Sequence, residues 1–262
     1  MSSKLAVQMF TLRDYTKTRK DLEDSLKKIS DIGYEAIQFS AIGAMKGDNP
    51  EVTPEDARKL LEATGLKCIA THRSWDDLMH NTDKEIEFHK TFDCDFCAIG
   101  SIPPDYGHTA EGYRKFLQDA TPVIEKLKQA GIRFGHHNHS KEFARTSPGG
   151  PRLEDILIDE GPADLMIELD TFWAVHGGVN PVRIIERCHD RVPVIHLKDK
   201  AVDVEEGPFI APIGEGNIDW EHIVPACEEA GTAYYAVELD NFPRDPFDCL
   251  ASSYRYLKGL VN

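Results

Sequence analysis

The sequence has no long apolar segment and no excess of positive charge. None of its apolar runs approaches the roughly 20 residues of a membrane-spanning helix, and its start, MSSKLAVQMF, lacks the basic stretch and apolar run of a secretion signal. The formal net charge is -15, whereas a protein that binds nucleic-acid backbones needs a positive surface. We therefore expect a cytoplasmic protein with no membrane partner and no nucleic-acid partner.

Paired cysteines are also scarce. The six cysteines are widely scattered, and the single CxxC, from Cys94 to Cys97, has no second CxxC to complete a zinc site. We expect reduced, buried thiols rather than a disulfide framework. What the chain does have is 41% hydrophobic residues, which is enough for a sizeable core.

One junction recurs along the chain, in which an amphipathic helical pattern ends at a glycine and a short apolar run follows at once. It occurs at Gly33, Gly65, Gly131 and Gly231, and glycine suits the left-handed position that ends a helix. These junctions predict alternating helices and strands. The predicted strands are 4–9, 34–39, 66–71, 95–100, 132–137, 164–169, 192–197 and 234–239, and the predicted helices are 18–31, 53–64, 83–91, 110–130, 151–160, 181–188, 219–229 and 246–259.

Eight strand and helix units without an intervening linker predict an α/β fold, a single (β/α)8 TIM barrel that spans residues 1–262. A doubly wound open sheet is the alternative. In a barrel, polar side chains at the carboxyl ends of the strands are the first place to look for function.

The alternation of side chains along a strand predicts which polar groups face the inside of the barrel. In the fifth strand Ile132 and Phe134 should face the helices, which directs His137 and His139 inward and His136 outward. The same reasoning for the other strands gives a set of inward polar residues. These are Gln38, His72, Glu168, Asp170, His196, Lys198, Glu238 and Asp240.

Four inward residues at the ends of the fifth to eighth strands predict a metal site. They are His137, Asp170, His196 and Glu238. Two imidazoles and two carboxylates suit Mn²⁺, Zn²⁺, Fe²⁺ or Co²⁺ better than Ca²⁺ or Mg²⁺, which prefer oxygen alone. Each residue also has a purely structural explanation: a hydrogen-bonded core histidine, a turn cap formed by Asp170, or an ion pair between Glu238 and Lys198.

Several stretches, in order along nearly the whole chain, resemble one family. They are QMFTLRD (8–14), HHNHSKEF (136–143), IELDTFW (167–173), VIHLKD (194–199), IGEGNIDW (213–220) and VELDN (237–241). They are similar to the sugar phosphate isomerase/epimerase members of the xylose isomerase-like TIM-barrel superfamily. Its members include ketose 3-epimerases, inosose dehydratase, keto-glycoside epimerases and lyases, and endonuclease IV.

The resemblance implies a divalent metal ion, Mn²⁺ first, with Zn²⁺, Co²⁺, Mg²⁺ and Fe²⁺ as alternatives. In ketose 3-epimerases a glutamate, an aspartate, a histidine and a glutamate hold the ion, and the last three correspond to Asp170, His196 and Glu238. The first glutamate corresponds to His137 or a position close to it, so the chain departs from the epimerase pattern there. Glu142 is a candidate for the missing carboxylate, and His139 is a further candidate for the strand-five ligand.

The resemblance also implies the reaction. We expect a metal-dependent sugar isomerase or epimerase, or else a lyase or dehydratase, that abstracts a proton alpha to the metal-bound carbonyl of a ketose, an inosose or a 3-keto sugar, through an enediolate. The predicted catalytic residues are Glu238, His137, Lys198 and Glu142, and the predicted substrate-binding residues are His72, Gln38, His139 and Trp173, with Trp75 as a second aromatic candidate.

Two other functions stay open at this point. One is a non-catalytic sugar-binding barrel, and the other is an endonuclease IV-like hydrolase, which the missing basic groove disfavours. The expected partner is a small sugar, and a homodimer is left open as the assembly.

Overall fold

The computed structural model describes residues 4–261, and its centre is a barrel of eight parallel strands. These are β1 (Leu5–Gln8), β2 (Ala36–Phe39), β3 (Lys67–His72), β4 (Phe96–Ile99), β5 (Arg133–His137), β6 (Leu165–Glu168), β7 (Val194–Leu197) and β10 (Tyr234–Val237), while β8 (Asp199–Asp203) and β9 (Gly207–Ala211) form a separate antiparallel hairpin.

The barrel strands pair in the order β6-β5-β4-β3-β2-β1-β10-β7. The two end strands, β6 and β7, meet through one parallel bridge between Asp170 and His196. The predicted (β/α)8 barrel is therefore confirmed. The open sheet is excluded, because the two edges of the sheet meet.

Helices cover the outside of the barrel. They are α1 (Arg19–Ile32), α2 (Pro54–Thr64), α3 (Trp75–His80), α4 (Thr82–Thr91), α5 (Ala110–Gln129), α6 (Leu153–Glu160), α7 (Thr171–His176), α8 (Pro181–Arg187), α9 (Trp220–Glu229) and α10 (Pro246–Leu257), and 3-10 helices lie at Met9–Tyr15, Gly43–Met45, Pro104–Tyr106 and Lys141–Phe143. The first helix shows how the ends are set: the Thr18 hydroxyl accepts from the Asp21 backbone N–H, and Gly33 ends the helix with φ of 117°.

Two short helices, one hairpin and the 3-10 helices were not predicted from the sequence. Helices α3 and α7 have only six residues each, which is too short for a helical period to stand out. The hairpin of β8 and β9 is partly exposed, and its strands lack a continuous apolar face.

The stretches VIHLKD and IGEGNIDW meet at Asp199. Its carboxylate accepts hydrogen bonds from the backbone N–H groups of Gly214 (2.9 Å), Gly216 (3.1 Å) and Ile218 (3.2 Å) and from the Trp220 indole N–H (2.9 Å). A Cβ atom on Gly216 would lie 2.3 Å from Asp199 Oδ1, so the close approach requires glycine. This pair of motifs is therefore explained by the folding of the loop that follows the hairpin.

The interior of the barrel below its polar end is filled largely by small side chains. Buried alanines from five strands contribute to it: Ala6, Ala36, Ala70, Ala98 and Ala236. None of the helices in residues 4–261 is long and apolar enough to cross a membrane. The single domain, the cytoplasmic location and the homodimer stay predictions.

Candidate active site

The four residues predicted as metal ligands come together at the carboxyl ends of the strands. His137 ends β5, Asp170 follows β6, His196 lies in β7 and Glu238 follows β10. One possible ligand atom from each lies within 4.8 Å of the others, and all four residues are buried. They converge because parallel strands of a barrel end at the same rim.

Lys198 gives this cluster its positive charge. Its Nζ lies 3.0 Å from Asp170 Oδ2, 3.2 Å from Glu238 Oε2 and 3.0 Å from Asp240 Oδ2. Burial alone would lower the pKa of Lys198, but the three carboxylates raise it. One ammonium cannot satisfy three carboxylates equally, and burial raises the pKa of Asp170 to about 6 despite the contact with Lys198.

His196 and Glu238 form a buried pair. His196 Nδ1 lies 2.8 Å from Glu238 Oε2. Burial would lower the pKa of His196, but the charges of Glu168 and Glu238 outweigh it and raise the pKa to about 10. Burial would raise the pKa of Glu238, yet Lys198 and His196 bring it well below its usual value. Glu238 is therefore ionised at neutral pH.

His137 differs from its neighbours because no charge pairs with it closely. Its Nδ1 is buried without a hydrogen bond in the part of the chain that the structure describes, and lies 3.5 Å from Glu168 Oε2. Its Nε2 lies 3.9 Å from Asp170 Oδ2. Burial, followed by the charge of His196, lowers the pKa of His137 well below its usual value. A neutral imidazole with an available lone pair is the form that binds a metal ion.

Three of the predicted substrate-binding residues border the mouth of the site. The His72 side chain is 15% exposed. The rings of His139 and Trp173 lie 5.5 Å apart, and the Trp173 ring is 5.8 Å from Lys198 Nζ. Aromatic faces next to charged groups suit a polyhydroxylated ligand.

Two further candidates for substrate binding, Gln38 and Trp75, do not border the mouth of the site. Gln38 is fully buried, where its amide donates to Glu168 Oε1 (2.7 Å) and its oxygen accepts from His196 Nε2 (2.8 Å). Trp75 packs against Phe116, with ring centroids 4.9 Å apart, in the apolar layer between strands and helices. Trp75 is thus a core residue, and both polar atoms of the Gln38 side chain are used within the protein.

Glu142 does not join the cluster, although it was a candidate for the missing carboxylate. Its Oε2 accepts from the His139 backbone N–H (2.8 Å), and its Oε1 has no partner within the described residues. It lies in the 3-10 helix after β5, where the alternation of a strand no longer fixes the direction of a side chain. Burial raises its pKa.

A second buried group of polar residues lies behind β5, and we call it the outer cluster: Tyr113, His136, Glu142 and Glu154. His136 faces away from the barrel interior as predicted, with its Nδ1 3.8 Å from Glu154 Oε2. Six side-chain N and O atoms of this cluster have no hydrogen-bond partner among residues 4–261. Burial lowers the pKa of His136 to about 3 and raises that of Glu154 to about 8.

The buried group inside the barrel, which we call the inner site, consists of His137, Glu168, Asp170, His196, Lys198, Glu238 and the partly buried Asp240. One of its members was not assigned a role from the sequence. A second possible ligand set shares His137 and His196 with the first and adds His72 and Glu168. Strand alternation already directed Glu168 inward, but it gave no reason to assign it a role. The contact of Glu168 with three histidines is visible only once strands from opposite parts of the chain are brought together.

A barrel with histidines and carboxylates gathered at the carboxyl ends of its strands defines an enzyme of the (β/α)8 class with its site at that rim. The chain belongs to the xylose isomerase-like TIM barrel family, whose model matches residues 26–258. The resemblance noted in the sequence is therefore confirmed.

Three known proteins illustrate the relationship. The inosose dehydratase of Clostridium beijerinckii is 24% identical over 266 residues, which cover 86% of this chain and 88% of that protein. A sugar phosphate isomerase/epimerase from Parabacteroides distasonis has the same fold, with a TM-score of 0.82 and 22% identity over 99% of this chain and 95% of that one. The IolI protein with a bound zinc atom has a TM-score of 0.67 and 15% identity over 97% of each chain. The prediction of an enzyme is confirmed.

Proposed function

We propose that the protein is a divalent-metal-dependent sugar isomerase, epimerase or lyase that abstracts a proton alpha to a carbonyl group of a ketose, an inosose or a 3-keto sugar. The observation that carries the proposal is the buried set of His137, Asp170, His196 and Glu238, with possible ligand atoms within 4.8 Å of one another. The names of the relatives, an inosose dehydratase and a sugar phosphate isomerase/epimerase, support this class of substrate.

The four residues fit a divalent ion. Two imidazoles and two carboxylates form a mixed donor set that suits Mn²⁺, Zn²⁺, Co²⁺ or Fe²⁺. His137 Nδ1 is buried without a hydrogen bond within the described residues, so His137 has a ring nitrogen that is not used by the protein. Mn²⁺ is our first proposal, and the zinc atom in the IolI structure supports Zn²⁺ as the second.

Each residue of the site has a separate role in the proposed reaction. A bound divalent ion would polarise the substrate carbonyl and stabilise the charge that develops as the alpha proton leaves. We assign the acceptance of that proton to Glu238, which Lys198 and His196 keep ionised. Lys198 holds a positive charge beside the developing oxyanion, and His137 is the second candidate for proton transfer.

The rim provides substrate recognition. His72 and His139 offer ring nitrogens to hydroxyl groups, and the half-buried ring of Trp173 can cover an apolar sugar face. Glu142 would act only indirectly, by holding the His139 backbone N–H at 2.8 Å.

Metal content is the first test. We expect purified protein to bind one Mn²⁺ or Zn²⁺ ion per chain in calorimetric titration, and His196→Ala to lose it because a buried ligand is removed. His189→Ala is the matched control, since the His189 side chain is 55% exposed and pairs with Asp190, before the amino end of β7 and away from the rim that holds the proposed ligands. Wild-type protein that binds no divalent ion would refute the proposed site.

Exchange of the alpha proton is the second test. Metal-loaded protein in deuterated solvent should introduce deuterium alpha to the carbonyl of an inosose, a ketose or a 3-keto sugar, as read by proton NMR. Glu238→Gln should abolish the exchange. Thermal stabilisation by such a sugar without exchange on any of them would instead indicate a non-catalytic sugar-binding barrel.

A further inference from the structure

Glu168, the last residue of β6, is the most highly connected carboxylate of the inner site. Its Oε1 accepts from the Gln38 amide at 2.7 Å, and its Oε2 accepts from His72 Nε2. The same Oε2 lies 3.3 Å from His196 Nε2 and 3.5 Å from His137 Nδ1. The side chain is fully buried, and these contacts come from four residues of four different strands.

The two ring nitrogens of His196 face different partners. Nδ1 points to Glu238, 2.8 Å away, and Asp170 belongs to the same possible ligand set as His196 and Glu238. Nε2 points to Gln38 Oε1 at 2.8 Å and to Glu168. Because the Gln38 amide donates to Glu168, its oxygen must face His196, and both acceptors therefore require a proton on Nε2.

This arrangement prepares Nδ1 of His196 for an ion. In the metal-free protein His196 also holds a proton on Nδ1, which faces Glu238, and a bound ion would displace that proton. With the other proton held on Nε2, the lone pair of Nδ1 would then be directed at the ion. A carboxylate behind a ligating histidine is a general device that fixes the orientation of the ring and makes it a better donor.

Glu168 orders a second ring in the same way. His72 Nε2 is bonded to it, and the His72 ring stacks on His196 with centroids 5.4 Å apart and planes at 22°. Holding Nε2 inward leaves the opposite edge of the His72 ring toward Gly100, where a Cβ would lie 3.4 Å from Nδ1. One carboxylate thus sets both a proposed ligand and a proposed substrate contact.

We propose that Glu168 is a positioning residue, which fixes the ring orientations of His196 and His72 so that His196 presents Nδ1 to a divalent ion. The inference rests on the proposed function. Glu168 acts through the histidines and not as a ligand, because its oxygens already accept from Gln38 and His72 and because Glu238 contacts the other ring nitrogen of His196.

The test replaces Glu168 by glutamine, which keeps its shape. An amide places an NH₂ group either against the ring N–H groups or against the Gln38 amide, so one contact becomes repulsive in either orientation. We expect the affinity for Mn²⁺ and for Zn²⁺, measured by calorimetry, to fall about 10- to 100-fold. Glu154→Gln is the matched control, because Glu154 is equally buried but faces His136 behind the barrel, and it should keep the wild-type affinity.

NMR of histidine-labelled protein gives a readout that does not depend on activity or on metal. In wild-type protein the His196 Nε2–H should give a slowly exchanging, hydrogen-bonded proton signal, with or without Zn²⁺. Glu168→Gln should broaden or lose it, and Glu168→Asp should restore part of it if the variant retains the charge in reach. An unchanged signal in Glu168→Gln would overturn the proposal, even if wild-type protein proved to bind no metal.

The spectrum of the Co²⁺-loaded protein separates positioning from ligation. If Glu168→Gln weakens Co²⁺ binding but leaves the visible absorption bands of the saturated protein in place, Glu168 acts from behind the ligands. Bands that shift to those of a different coordination number would make Glu168 a ligand and overturn the proposal. A variant that does not fold would be recognised by loss of the near-ultraviolet circular dichroism, and Glu168→Asp then carries the same three measurements.

Discussion

The inner site and the outer cluster lie on opposite sides of β5 and are both buried, but they differ in how their ionisable groups are paired. In the inner site, charged groups have counter-charges: Lys198 contacts three carboxylates, and His196 lies between Glu168 and Glu238. In the outer cluster, His136 and Glu154 have no hydrogen bonds within residues 4–261. Both are fully buried, so the difference comes from pairing.

The ionisation states of the two groups of residues follow from this difference in pairing. Burial would neutralise the inner groups as well, but paired charges keep Glu168 and Glu238 below their usual pKa and His196 above its own, at about 10. In the outer cluster burial prevails, so Glu154, with a pKa of about 8, is largely a neutral acid at pH 7, and His136, at about 3, is a neutral base. The polar interior therefore holds charges at Lys198, His196 and Glu238 and neutral groups at His136 and Glu154, on the other side of β5.

Removing Lys198, the cation of the inner site, should change the stability of the protein more than any other substitution considered. Lys198→Met removes the ammonium from the buried Asp170 and Glu238 and from the partly buried Asp240, which should lower the unfolding free energy of metal-free protein at pH 7 by about 3 to 5 kcal/mol. Urea denaturation measures this. Saturating Mn²⁺ should stabilise the variant more than the wild type, because an ion can replace the lost charge.

Lys27→Met is the control for that experiment. Lys27 pairs with Asp31 on an exposed face of α1, with side chains 70% and 63% exposed, and its loss should cost less than about 0.5 kcal/mol. If Lys198→Met is as mild as the control, the inner carboxylates do not depend on Lys198.

The pH dependence of stability should reveal the neutral acid of the outer cluster. The pKa of Glu154 in the folded protein, about 8, is above its usual value of 4.5, so the folded chain holds a proton that the unfolded chain releases. The stabilisation is complete below pH 4.5 and is lost as the pH rises through 8. Between pH 5 and pH 8 the unfolding free energy should therefore fall by about 3 kcal/mol because of this group.

Glu154→Gln should remove that component, since glutamine does not titrate. The difference in unfolding free energy between the variant and the wild type should therefore change across pH 5 to 8. Glu125→Gln, at an exposed position of α5, should leave the wild-type slope intact. Parallel slopes for Glu154→Gln and wild type would show that Glu154 is ionised in the folded protein.

The smallest predicted effect compares two buried tyrosines. The Tyr34 hydroxyl donates to the Leu250 carbonyl at 2.9 Å, whereas the Tyr113 hydroxyl has no partner within the described chain. Tyr34→Phe should cost about 1 kcal/mol more than Tyr113→Phe, because only the first loses a hydrogen bond that the folded protein makes. Thermal unfolding of both variants measures the difference, and a larger loss for Tyr113→Phe would mean that ordered water bridges the outer cluster.

The regular part of the molecule could be predicted from the sequence. Glycine junctions located the strand and helix units, and side-chain alternation grouped His137, Asp170, His196 and Glu238, because both depend only on the repeating geometry of strands and helices. The four residues were then found within reach of a common ion.

What escaped prediction depends on irregular backbone and on distant contacts. The direction of Glu142 is set by a 3-10 helix after β5, and the hairpin of β8 and β9 has no continuous apolar face. Glu168 faces inward as alternation requires, but its partners Gln38 and His72 come from strands more than 90 residues earlier in the chain. No local pattern could assign these contacts.

The barrel closes where its chemistry is proposed to occur. Seven strand boundaries are ladders of two or more residue pairs, while β6 and β7 meet through the single bridge of Asp170 with His196 in the described residues. Two backbone hydrogen bonds support that bridge, from the His196 N–H to the Leu169 carbonyl (2.9 Å) and from the Ile167 N–H to the Arg191 carbonyl (2.7 Å). An ion bound by both residues would therefore link β6 to β7 at the strand boundary that has the fewest backbone pairs. Hydrogen exchange of the His196 amide would then report whether the site holds an ion, even without substrate. Removing the ion should raise the exchange rate of this amide before it affects the other strand boundaries.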